Sequence, residues 1–256
     1  MRFRRNLEHR TFFPLLSRPV TQLMPDVQFL TILGLGFLLG ARHALDADHL
    51  AAVSTILSKR PSLQTSGFIG LCWGFGHTLM LLLVGIAVIL LKVTIPESLA
   101  QTLEFGIGIM LVVLGSSLAW SIYQEGWHLH AHEHDGERHR HLHSHQKDEH
   151  HRHSHWMHLS VRPLLIGMAH GLAGSAALML MVLSTVQTMW QGIVYILIFG
   201  IGSIIGMVLL GLLISVPLVF SAMFGRRVQH VVQGLAGLGS IVLGLMMMIR
   251  TANFNF

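Results

Sequence analysis

The segment His43-Ala44-Leu45-Asp46-Ala47-Asp48-His49 sets two imidazoles and two carboxylates within seven residues, between uncharged stretches from Phe29 to Leu39 and from Leu50 to Leu57. Neutral imidazole suits Zn²⁺, Cu²⁺, Co²⁺ and Ni²⁺, and carboxylates add oxygen ligands and offset the charge of the ion. The chemistry is that of a divalent transition metal, and spacing alone does not choose among the four. With Arg42, five ionisable residues fall within eight positions of an apolar run. Such groups are costly inside a bilayer and face a cavity or one another. A span that merely ended near Arg42 would need fewer of them for anchoring.

Helix geometry limits how the four can cooperate. At 100° per residue His43, Asp46 and His49 share an arc of about 120°, whereas Asp48 lies about 140° from His43. One undistorted helix cannot aim all of them inward. Either Asp48 holds an imidazole in place, or the helix breaks here and its two ends converge.

Two more histidines sit in apolar surroundings. His77 follows Gly74-Phe75-Gly76, small residues that permit close helix approach, and could meet the first cluster or simply bond a neighbouring carbonyl. His170 precedes Gly171, Gly174 and Ser175, which equally describe small-residue packing. Of the 19 histidines, 13 lie between His128 and His158, most of them in His-x-His steps such as His128/His130/His132/His134. Flexible steps of that kind let several imidazoles reach one ion, as in a weak multivalent buffer.

The elements that position these groups follow from composition. The chain has 256 residues, 52% hydrophobic and 11% charged, against about a quarter charged in soluble domains. Its apolar runs reach the ~20 residues a helical span needs. The expected fold is all-α, a polytopic membrane bundle of six helices spanning Val27–Leu57, Gly67–Leu91, Leu103–Tyr123, Pro163–Val186, Gly192–Phe220 and Val231–Ile249. The first and fifth exceed the bilayer and must tilt, kink or break. Segment Trp127–His158, nearly without aliphatic residues, is expected to be a disordered aqueous loop. The expected organisation is an N-terminal tail (1–26), a first membrane repeat (27–123), a His-rich loop (124–162), a second repeat (163–250) and a short C-terminal tail (251–256).

The halves align at an offset near 127 residues. Gly40-Ala41-Arg42-His43-Ala44-Leu45 matches Gly167-Met168-Ala169-His170-Gly171-Leu172, Gly74–His77 matches Gly200–Ser203, and Gly108–Gly115 matches Gly237–Gly244. Three spans per half force opposite orientations, so inverted repeats with a site near the midplane are expected. His170 then becomes a second half-site opposite His43.

The string Arg42-His43-Ala44-Leu45-Asp46-Ala47-Asp48-His49 resembles the His-x4-Asp-His signature of the nickel/cobalt transporter family, with one aliphatic exchange. The resemblance extends to Gly74-Phe75-Gly76-His77-Thr78 and covers most of the six spans. It implies metal-handling roles for His43, Asp48, His49 and His77. The acidic second-half motif of the larger importers is absent; His170 through Leu178 is similar instead to short nickel permeases of the urease-accessory type. That likeness implies cytoplasmic metallochaperones or urease maturation proteins as partners. The Asp-Ala-Asp-His form resembles the importing branch, although long His-rich loops also occur in related effluxers.

The short loops on one side carry Lys59, Arg60, Arg226 and Arg227, which puts the His-rich loop in the cytoplasm and the protein in the cell (inner) membrane. Five arginines from Arg2 to Arg18 argue the other way. The formal charge of +5 lies in the tail and loops, so topology control fits better than nucleic-acid binding. A single cysteine, Cys72, excludes an intrachain disulfide and Cys-rich metal centres. No Gly-x4-Gly-Lys-(Ser/Thr) string is present, which favours secondary transport over a pump with its own ATPase. The expected function is carriage of Ni²⁺ or Co²⁺ as substrate, with uptake favoured and no bound cofactor. The competing readings are a membrane metalloenzyme, which lacks a His-Glu-x-x-His motif here, and a membrane-tethered metal store.

Overall fold

The computed structural model describes residues 20–59, 62–93, 95–125, 130–134, 137–141, 160–174 and 188–253. Without water to satisfy the backbone, apolar segments close their hydrogen bonds internally as helices. Those described are α1 (Val20–His43), α2 (Ala47–Leu57), α3 (Leu63–Leu91), α4 (Glu97–Glu125), α5 (residues 160–174), α6 (Met189–Met223) and α7 (Arg226–Asn253). The protein is a multi-pass helical membrane protein. Among the described residues four helices are long and apolar enough to cross a bilayer, and the bent pair α1–α2 makes a fifth span if counted as one. The expected fourth span, Pro163–Val186, is helical to residue 174 and otherwise lies outside the described residues. The count of six is therefore not reached within them.

The expected first span, Val27–Leu57, is two helices meeting at 51°. No proline or glycine stands at the break. Instead the last turn of α1 tightens, with Leu45 N–H donating to Arg42 O at 2.8 Å and Asp46 N–H to His43 O at 3.1 Å. Asp46 is then extended (φ −62°, ψ 147°) and α2 restarts behind it. Other boundaries fall outside the hydropathy limits because polar caps set them. Thr188 Oγ1 accepts from Gln191 N–H and the Gln191 side chain accepts from Thr188 N–H, starting α6. Gly225, at φ +100°, makes the turn into α7. Likewise α4 begins at Glu97 rather than Leu103, which places Glu104 about two turns inside the helix.

Helices meet where glycines remove the side chain. A methyl group on Gly40 of α1 would collide with the carbonyl of Phe199 on α6, and one on Gly167 of α5 with the carbonyl of Trp73 on α3. Gly202 of α6 lies in the same way on Phe37, and Gly76 of α3 on Leu164. Between α4 and α7, Gly108 lies against Gly244 and Gly115 against Gly237. Polar links reinforce these seams. Thr78 Oγ1 donates to Gly200 O at 3.2 Å, Ser240 Oγ to Leu111 O at 2.9 Å, and Gln233 Nε2 to Ser58 O at 2.7 Å, tying α2 to α7. Buried Trp73, Leu57, Ala52, Val53, Met207 and Leu210 belong to one apolar cluster toward the α2–α3 end.

The His-rich segment departs from the expectation of disorder over part of its length. Strands β1 (His130–His134) and β2 (Glu137–His141) pair antiparallel, with His132 opposite His139 and Glu133 opposite Arg138. The two-residue alternation of histidine is itself a strand period, and Asp135-Gly136 between the strands is a favoured hairpin dipeptide. The rest of this segment lies outside the described residues.

Candidate metal site

The break between α1 and α2 turns three residues of the motif toward helices that the sequence leaves far away. His43 ends α1, and its ring lies 4.8 Å from that of His49 on α2 and 5.1 Å from that of His77 on α3, centroid to centroid. His49 and His77 are 5.3 Å apart. One ligand atom from each of these three rings lies within 4.8 Å of the other two, as metal-binding groups require. His170 on α5 stands beside these three, its ring centroid 4.9 Å from that of His49. His77 falls at the middle of α3, so the cluster sits midway along that helix. His49, His77 and His170 are buried and His43 is half-buried.

The two carboxylates do different work. His43 Nδ1–H donates to Asp46 Oδ2 at 2.7 Å, and His49 Nδ1–H donates to Asp48 Oδ1 at 3.1 Å. Both contacts leave Nε2 as the nitrogen with a lone pair, the arrangement by which carboxylates orient metal-binding histidines. Asp48 also lies 3.8 Å from His170 Nε2 by its other oxygen. The problem of Asp48 pointing away from His43 is thus resolved by both routes at once: the helix breaks, and Asp48 braces the His49 imidazole. His170 Nδ1 lies 3.3 Å from Ile166 O, a carbonyl that can only accept, so its Nδ1 carries the proton.

What remains is a set of unpartnered imidazole nitrogens. His49 Nε2, His170 Nε2 and both nitrogens of His77 are buried without a hydrogen-bond partner. An unsatisfied buried polar atom costs about 1–3 kcal/mol. Convergent unpartnered imidazole nitrogens beside carboxylates fit a divalent transition metal, because one ion takes up the lone pairs and offsets the negative charge.

The cluster forms one wall of a cavity of about 410 Å³ lined by His43, Asp46, Asp48, His49 and His170, and further by Arg42, Leu39, Leu81, Glu104, Phe199 and Met247. All six residues predicted from sequence, His43, Asp46, Asp48, His49, His77 and His170, are brought together, although His77 lies behind the wall rather than on it. Three neighbours were not foreseen. Trp73 packs on His170 at 5.0 Å and on His49 at 6.3 Å, and Phe199 on His43 at 5.7 Å. No local pattern marks an aromatic as a metal-site wall. The third, Glu104, carried a signal, since it is an acid in an apolar helix; drawing the span from Leu103 left it at the edge.

Residues 29–248 match the family described as high-affinity nickel-transport protein, NicO. The chain is also 40% identical over 222 residues to the urease accessory protein UreH of Bacillus sp. (strain TB-90), covering 87% of this chain and 92% of that protein. No solved structure matches.

Proposed function

The chain belongs to the NicO family of high-affinity nickel-transport proteins, and we propose that Ni²⁺ or Co²⁺ crosses the bilayer through the cluster of His43, His49, His77 and His170. The protein is a membrane transporter of nickel-class divalent cations and not an enzyme; transport needs ligands that can be gained and released. The observation that carries the site is the convergence of buried imidazole nitrogens left without partners, two of the rings being braced by Asp46 and Asp48. A fully buried His77 with neither nitrogen bonded has no packing rationale. A metal store would need no such group at mid-depth in the bundle.

The halves act as inverted repeats. Under the correspondence of Gly40 with Gly167 and Gly74 with Gly200, the contact of Gly40 with Phe199 becomes that of Gly167 with Trp73, and Gly202 with Phe37 becomes Gly76 with Leu164. Gly108 against Gly244 likewise exchanges into Gly115 against Gly237. Reciprocal exchange is what a two-fold axis produces, and antiparallel repeats require that axis to lie in the membrane plane. The first helix of each repeat thus packs on the second helix of the other. The site sits at that interface.

The membrane is the cell's inner membrane, with the His-rich loop on the cytoplasmic side together with Lys59 and Arg226. Every cavity-lining residue outside the motif itself lies from the cluster toward the α3–α4 end, which in this topology faces outward. That supports uptake, driven by an ion gradient. The His-rich loop buffers metal after passage and hands it to cytoplasmic metallochaperones or urease maturation proteins, the relation that the accessory-protein relative suggests.

The test is initial-rate flux into sealed vesicles containing purified protein, with Ni²⁺, Co²⁺, Zn²⁺ and Mn²⁺ compared and ion gradients imposed in turn. Saturable Ni²⁺ or Co²⁺ flux that is lost in His49→Ala is expected. Wild-type flux in that variant would remove the cluster from the pathway.

A further inference from the structure

Glu104 is an intramembrane carboxylate that neither the motif nor the family match assigns. It lies about two turns inside α4, where lipid exposure of a carboxylate is unfavourable. Its position on the helix explains how it is tolerated. Glu104 stands three residues before Ile107 and seven before Leu111, both buried, so it continues the stripe of α4 that faces the bundle interior. Ile107 and Leu111 are covered; Glu104 is exposed, and it lines the same cavity as His43, Asp48 and His170. Part of its exposed surface faces that cavity. Among the described residues it forms no ion pair and no hydrogen bond.

The charge of the cavity gives the residue its meaning. With the imidazoles neutral, the lining holds three carboxylates (Asp46, Asp48 and Glu104) and one guanidinium (Arg42), a net charge of minus two. That equals the charge needed to balance one divalent ion, and it is halved if Glu104 is neutral. Asp46 and Asp48 are already engaged by His43 and His49. Glu104 is the carboxylate whose oxygens are uncommitted. Low-dielectric walls focus such a field and raise the local cation concentration.

We propose that Glu104 is the electrostatic entry station of the pathway, drawing a hydrated divalent cation in from the α3–α4 end and delivering it to the histidine cluster without being a ligand in the final site. This rests on the reading that the cluster carries the cation. It is a positioning role, so it acts on capture and not on the translocation step.

The experiment is Ni²⁺ flux in vesicles for Glu104→Gln, which keeps size and hydrogen bonding, and for Glu104→Met, which keeps length and suits an apolar helix should the amide impair insertion. Glu97→Gln, at the first position of the same helix but outside the cavity, is the control for general surface charge. At low ionic strength both Glu104 variants should raise KM about five- to tenfold with kcat within about twofold. Ni²⁺ at saturation should still give the imidazole–nickel absorption of the wild type. In ~1 M salt the KM difference should shrink to about twofold, since the screening length falls to ~3 Å, and Glu97→Gln should match wild type throughout. Unchanged KM in both Glu104 variants, or an equal effect from Glu97→Gln, overturns the proposal. Loss of kcat or of the nickel absorption also overturns it, because Glu104 would then be a ligand. Failure of the underlying reading is separate: it appears as normal flux in His49→Ala.

Discussion

Positions 43–49 and 170–176 correspond between the two halves, yet they hold opposite chemistry. The first reads His43, Asp46, Asp48, His49; the second keeps His170 and replaces the rest with Ala173, Ser175 and Ala176. The same contrast recurs one helix later, where His77 corresponds to Ser203. Each half nevertheless packs through glycine at equivalent points, Gly40 and Gly167 among them. Under the proposed repeat the scaffold is kept and the site divided: one half holds most of the candidate donors, and the other supplies close backbone approach and one imidazole. Small residues are what allow it, since any side chain at Gly171 would push against the backbone of His77 and shift that ring.

The sharpest way to break this contrast is to remove a donor from the rich half. His77→Ala should reduce saturable Ni²⁺ flux by about a hundredfold or more, beyond the 10–100-fold typical of losing a supporting group, while insertion is unchanged. Matched substitution in the poor half, Ser203→Ala, marks the other extreme. Next in size are the seams that both halves share. Gly40→Leu and Gly167→Leu each force a side chain into backbone and should destabilise by about 3 kcal/mol or more, read as a fall in the thermal midpoint in detergent. Gly34, with open space around it, should accept Ala with no such fall. A harmless Gly40→Leu would mean that the α1–α6 contact is not as close as described.

Asp48→Asn tests whether the carboxylate braces the His49 ring. It preserves size but removes charge, and the amide can no longer be certain to accept from His49 Nδ1–H, so apparent affinity for Ni²⁺ should fall about 10–100-fold. An unchanged affinity would leave His49 oriented by packing against Trp73 alone. Deleting residues 128–158 in favour of a short polar linker should alter apparent affinity only a few-fold, because redundant imidazoles feed the pathway without forming it. Complete loss of flux in an inserted deletion protein would instead put the loop in the obligatory route. The smallest effect belongs to Ser203→Ala. Its Oγ is buried and unpartnered, so its removal should leave flux unchanged and stability neutral or slightly raised.

The sequence by itself determined the class of molecule and pointed to the candidate donors that the structure gathers. Apolar runs too long for soluble elements fixed a helical membrane bundle, because backbone groups in lipid must bond within their own segment. Charge inside such a run singled out His43, Asp46, Asp48 and His49, since burial there is too costly to be incidental. The glycine spacing of Gly108 and Gly115 against Gly237 and Gly244 was legible as a repeat. The tertiary structure decided how these parts meet. The excess length of the first span and its buried charges allowed a break here, but neither its occurrence nor its 51° angle is legible in the residues; it arises where Asp46 bonds back to His43 and the helix gives way to an extended residue. Hydropathy cannot locate a cap, so the boundary that hides or reveals Glu104 came from the fold. Only helix packing could bring His77 and His170, 34 and 127 residues beyond His43 in the chain, against it, because contact between distant residues depends on which faces interlock and not on the order in which they are written.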